Sequence, residues 1–115
     1  MKIGHPKTTA DKASTHDTTM PLLESMYSEF KELSKKKPDA AVSKSKINIA
    51  NRLLAKVRVV LDEEETIEFL DLLDEDDVPQ VSDVTLILSQ YVAAMKAFHT
   101  KYYGWNGSDI DWLTK

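Results

Sequence analysis

The sequence predicts an all-α protein: a small bundle of three to four helices with a disordered N-terminal tail and an aromatic C-terminal segment. Three observations lead there. Long segments repeat apolar residues at three- and four-residue steps. No segment alternates apolar and polar residues with the period of two that a half-buried strand needs. Capping and stopping residues bracket the periodic segments.

Residues 1–18 carry Thr, Lys, Ser, Asp and His around the isolated Ile3, too little apolar surface to offset the entropy of ordering. They read as a disordered tail, with His5 and His16 as solvated tail residues. Residues 19–115 then form one helical-bundle domain, since 115 residues allow a single core.

The first helix is predicted from about Met20 to Lys36. Thr18 and Thr19 offer cap oxygens, and Pro21 suits a first turn. Leu22, Leu23, Met26, Tyr27, Phe30 and Leu33 form its apolar stripe. Lys35, Lys36 and Lys37 lie where the helix dipole is negative, and Pro38 ends the helix. Asp39 is positioned to cap a second helix, about Ala40 to Leu61, with Ile47, Ala50, Leu54, Val57 and Leu61 on one seam.

A short third helix, about Glu63 to Leu73, follows from Ile67, Leu70 and Leu73 sharing a face. An acidic loop, Asp74 to Asp77, follows it. The last helix keeps seam spacing through Val81, Val84, Leu88, Tyr91, Met95, Phe98 and Tyr102. Asp77 or Ser82 is its expected cap, and Gly104 its terminator. Leu86, Ile87 and Val92 widen its apolar girth, so it should be central. Its sustained heptads also suit a homodimer seam.

The end of the chain is punctuated differently. Asn106-Gly107 is a turn signal, and Ser108 can cap a final turn over Asp109–Leu113. Tyr103, Trp105, Ile110, Trp112 and Leu113 gather here. They read either as a lid closing the bundle or as the anchors of a protein-partner site, because Trp and Tyr are enriched at binding hot spots.

Most chemistry is missing from the pattern. With no cysteine there is no disulfide, thiolate metal site or thiol nucleophile. With three glycines there is no phosphate-cradling loop. Counted from Asp74, the glycine and glutamate that a calcium loop requires are replaced by Pro79 and Thr85. No Glu-x-x-His pair suggests a di-iron site. His99 has no catalytic partner near it in sequence. No catalytic residue, metal or cofactor is therefore expected.

Charge is divided along the chain. Lys31–Arg58 holds nine bases against two acids, and Val59–Asp83 holds eleven acids and no base. These blocks either form two patches or pair with each other. The second helix carries a basic ridge of Lys44, Arg52 and Lys56, which together with Lys35, Lys36 and Lys37 offers contacts to nucleic-acid phosphates. The net charge of −4 and the adjacent acidic block disfavour that use. No apolar run is long enough to span a bilayer, and the N-terminal segment lacks the apolar core of a secretory signal, so a cytoplasmic protein is expected.

The expected function is a non-enzymatic protein–protein interaction module, of the small regulatory, adaptor, inhibitor or immunity type. It acts on a protein partner or by self-association as a homodimer. The alternative is a nucleic-acid-binding protein using the basic ridge. An enzyme with a site shared between subunits stands behind both.

Overall fold

The structure, a computed structural model, describes residues 5–115, so residues 1–4 of the predicted tail lie outside it. Three helices carry the fold: α1 (Ala10–Lys36), α2 (Lys44–Val60) and α3 (Val81–Tyr102). A two-stranded antiparallel hairpin closes the chain, β1 (Tyr103–Trp105) against β2 (Ile110–Trp112). The all-α bundle is therefore present, with this small sheet as an addition.

The first correction concerns the tail. Residues 10–18 are helical, and α1 starts with Thr9 as its cap, whose hydroxyl accepts from the Lys12 N–H at 3.1 Å. The buried stripe of this first half is Ala13, His16, Thr19 and Leu23. Its spacing is helical, but three of its four residues are small or polar. Pro21 lies inside the helix rather than in its first turn. Proline in a helix interior removes one backbone bond. Thr18 and Thr19 nearby bond back to the Ser14 and Thr15 carbonyls at 3.0 and 2.7 Å.

Ser43, not Asp39, caps α2, accepting from the Lys46 N–H. The start of α3 is completed by Asp83, whose carboxylate accepts from the Gln80 N–H at 2.9 Å. Neither Asp77 nor Ser82 performs this task. The loop between α1 and α2 supplies further partners. The Val81 N–H donates to the Ala40 carbonyl and the Ser82 N–H to the Pro38 carbonyl. Two further helix-start donors are satisfied in this way by backbone carbonyls of that loop.

α1 runs antiparallel to α3. The His16 ring meets the Met95 carbonyl near one end, and the Thr85 hydroxyl meets the Phe30 carbonyl near the other. All seven seam residues of α3 are buried, from Val81 to Tyr102. The seam that suggested a homodimer thus faces this chain's own core, where it packs on Leu23, Ile47, Leu54 and Val57.

The segment 61–80 is the second correction. It is an irregular strap with short 3-10 turns at Glu65–Phe69 and Glu75–Asp77, instead of a helix from Glu63 to Leu73. It returns along the seam between α2 and α3 and fills the place of a fourth helix. Leu70 and Leu73 are its buried anchors. Its backbone is held by side chains. The Asn51 amide clamps Leu73 at both its carbonyl and its N–H, at 2.8 and 2.9 Å. The Arg58 guanidinium donates to the Leu70 carbonyl, and the Tyr91 hydroxyl donates to the Asp71 carbonyl at 2.8 Å. Burial, partly offset by Arg58, raises the Tyr91 pKa.

Candidate functional site

The aromatic end divides into a lid and an exposed pair. The Trp112 ring packs edge-on against His16, 5.0 Å between centroids, and against His99 at 5.1 Å. Its indole N–H donates to the Asp17 carboxylate at 3.0 Å. Tyr103 stacks on His99 at 4.3 Å. Leu113 is buried, and its carbonyl accepts from the Thr8 N–H at 2.9 Å. Trp112, Tyr103 and Leu113 therefore close one end of the bundle. Trp105 and Ile110 face each other across the hairpin and remain 62% and 66% exposed.

Two expectations for this end are replaced. A strand pair stands where a final helical turn over Asp109–Leu113 was expected. Asn106 forms its turn, with its side-chain oxygen accepting from the N–H groups of both Ser108 and Asp109 at 2.9 Å. Gly107 takes φ +102°, a left-handed conformation that glycine adopts without strain. Gly104 lies within β1 and terminates nothing.

A larger feature lies between α1 and α2. A groove of about 690 Å³ opens there to solvent. Leu22, Met26, Phe30 and Leu33 line its α1 wall, and Ile49 and Leu53 line its α2 wall. Helix periodicity produces it. Ile47, Ala50, Leu54 and Val57 form the stripe of α2 that enters the core. The neighbouring stripe, Lys46, Ile49, Leu53 and Lys56, repeats at the same three- and four-residue steps and faces the groove. α1 divides in the same way: Leu23 is fully buried, whereas Leu22 is 57% exposed, as is Ile49.

The rims of the groove differ in charge. Lys46, Arg52 and Lys56 line the α2 side, and Glu29 lines the α1 side. Among the described residues the ion pairs are Lys12 with Asp62 and Glu63, Lys35 with Glu32, and Lys101 with Glu64. None involves the three groove cations. The basic and acidic blocks therefore do not pair with each other through side chains; the acidic strap is neutralised in part by Lys12 and Lys101, from outside the basic block. Lys12 is held above its ordinary pKa despite burial, because the bond to Asp62 and the nearby Glu63 and Glu64 charges outweigh desolvation. Lys101 is raised by its contacts with Tyr102 and Glu64.

No family model, no curated protein and no solved structure matches this chain. Among the described residues, no group of three or more His, Cys, Asp or Glu side chains is placed to hold a metal ion, and no helix is long and apolar enough to cross a membrane.

The predicted basic contacts separate. Arg52 and Lys56 reach the groove rim. Lys44 stands at the first turn of α2, and Lys35, at the far end of α1, is tied to Glu32 at 2.9 Å. Lys36 closes α1 and Lys37 follows it. Lys46 and Ile49 were missed by sequence reading. Their signal was present as a second stripe beside the core seam, but an apolar residue flanked by lysines on an exposed face is usually solvated surface.

Proposed function

We propose that the chain is a non-enzymatic binding module that takes a protein partner along the groove between α1 and α2. The supporting observation is the open apolar seam itself, with Leu22 and Ile49 each 57% exposed above Met26, Phe30 and Leu53. Fully burying a Leu or Ile side chain contributes about 1.5–3 kcal/mol, so roughly half of that remains to be gained at each position. Elsewhere α1 packs directly on α3, and the strap covers the seam between α2 and α3. A helix laid in the third seam, between α1 and α2, would cover it as the strap covers its own. The exposed Trp105–Ile110 pair is a smaller second contact of the same class. A cysteine-free chain acting by reversible contact suits the cytoplasm.

The test is affinity capture from native extract with wild type, Ile49→Glu and Trp105→Ala, each with and without nuclease. A stoichiometric protein captured by wild type and lost with Ile49→Glu supports the groove. One lost only with Trp105→Ala moves the site to the hairpin. Co-purifying nucleic acid, with capture lost on nuclease treatment, sinks the reading in favour of the basic ridge.

A further inference from the structure

We infer that the occupant of the groove is an acidic amphipathic helix of a different protein, carrying apolar residues along one face and carboxylates along a single flank of it. This rests on the groove reading above and narrows it to one chemistry.

Three observations converge. The first is charge. Lys46, Arg52 and Lys56 stand on one rim of an apolar trough, and none of them takes part in an ion pair among the described residues. A ligand with carboxylates on that side would gain three charge-assisted contacts. Glu29 on the opposite rim would repel carboxylates there, so the acidic flank is single and the orientation is fixed.

The second is length. The lining runs from Thr19 to Leu33 on α1 and from Lys46 to Lys56 on α2. At 1.5 Å rise per residue these walls are roughly 21 and 15 Å long. A helix of about 11–14 residues matches them, with apolar side chains at i, i+3 or i+4, and i+7.

The third is internal and concerns the apolar face alone. α2 already holds one leucine-spaced segment of this chain, through bonds to its backbone. The strap buries Leu70 and Leu73, three residues apart, while Glu68, Asp71 and Asp74 stay outside. α2 holds it with Asn51 and Arg58 on one flank. The groove is the other flank of the same helix and carries more positive charge. A second copy of this chain is a poor occupant. Its strap has Leu70 and Leu73 committed to its own core, leaving Phe69, Leu72 and Val78 exposed without the spacing of a helical face, and both copies carry a net charge of −4.

The probe is a capped helical peptide of about 14 residues, with leucines on one face and glutamates along one flank. A control replaces every glutamate by lysine. Binding is measured by calorimetry, and its location by amide chemical-shift changes, with full-length wild type, Ile49→Glu and the triple Lys46→Glu, Arg52→Glu, Lys56→Glu variant. All of these substitutions are at solvent-facing positions, and thermal unfolding checks each fold. The expected result is shifts on both groove walls, at least a tenfold affinity loss with either variant, and at least a tenfold preference for the acidic peptide. In parallel, an unbiased displayed library of helical peptides is selected on wild type. Selected peptides that need Ile49 but show no acidic bias would overturn the acidic inference and leave the groove reading intact. Failure to recover any Ile49-dependent peptide overturns both. A concentration-dependent dimer abolished by Ile49→Glu, or uptake of laurate on the groove walls without peptide binding, overturns the inference in favour of self-association or an amphiphilic anion.

Discussion

The His16 ring donates from Nε2 to the Met95 carbonyl at 2.8 Å, which ties the first half of α1 to the last helix. The ring is buried, with Phe98, His99 and Trp112 around it. Asp17 lies on the same helix and bonds Trp112 instead. Burial, above all, lowers the His16 pKa below its ordinary 6.5; the nearby His99 charge acts in the same direction, while the Met95 bond, Asp17 and Glu24 oppose it.

The sign of the pH effect follows. A histidine depressed in the fold binds protons more readily when unfolded, so stability rises with pH across the interval between the two values. The His16 contribution is complete above about pH 6.5 and is lost as the pH falls below that value towards the depressed folded one. Urea unfolding at about pH 7.5 and about pH 5.5 should show lower stability in acid, and His16→Gln should flatten the difference. An unchanged slope in the variant would assign the effect to other groups.

Trp112 and Trp105 should behave oppositely. Trp112 packs on four rings and bonds Asp17, so Trp112→Ala should cost about 2–4 kcal/mol, somewhat less than a fully buried tryptophan because it is half-buried. Trp105 is exposed, and Trp105→Ala should lie within about 0.5 kcal/mol of wild type. Chemical denaturation followed by far-ultraviolet circular dichroism separates them. Equal losses would mean that the hairpin acts as a single unit.

Asn51 is the principal clamp on the strap. Asn51→Ala removes two bonds to the Leu73 backbone and should cost about 1–3 kcal/mol. Hydrogen exchange should accelerate across residues 67–75 before it does in α1 or α3. Uniform acceleration over the whole chain would show that strap and bundle open together.

Pro21→Ala should stabilise the chain by about 1–3 kcal/mol, by restoring a backbone donor to the interior of α1. Thermal unfolding reads the change. A loss of stability would mean that the proline ring itself contributes packing that alanine cannot replace.

The three long helices were legible because their apolar residues repeat at three- and four-residue steps, and the α3 seam from Val81 to Tyr102 is buried at every position read from the sequence. The first half of α1 was hidden because its buried stripe is Ala13, His16 and Thr19, residues that hydropathy does not mark, and because Thr18-Thr19 before Pro21 imitates a helix start. The strap misled in the opposite way. Ile67, Leu70 and Leu73 keep helical spacing, yet Asn51, Arg58 and Tyr91 capture the backbone groups that a helix would use itself. Tertiary bonds from distant residues override local preference there. At the end of the chain the lid was read in the right segment, but only the three-dimensional register separates Trp112, which closes the bundle, from the exposed Trp105. The groove was the least visible feature, since the residues that line it also compose an ordinary solvated face.

The bond from the Thr8 N–H to the Leu113 carbonyl, and the return bond from the Lys115 N–H to the Thr8 carbonyl at 3.0 Å, bring the two ends of the described chain side by side. The backbone is thus nearly a closed ring on a body 54 Å long. A short linker could join the ends, and the ring could be reopened in the exposed turn at Asp39, giving a circular permutant with every helix intact. Such a molecule would present new termini at the far end of the rod. It would let a reporter be attached near the Asp39 mouth of the groove, as the original ends allow at the opposite end of the rod.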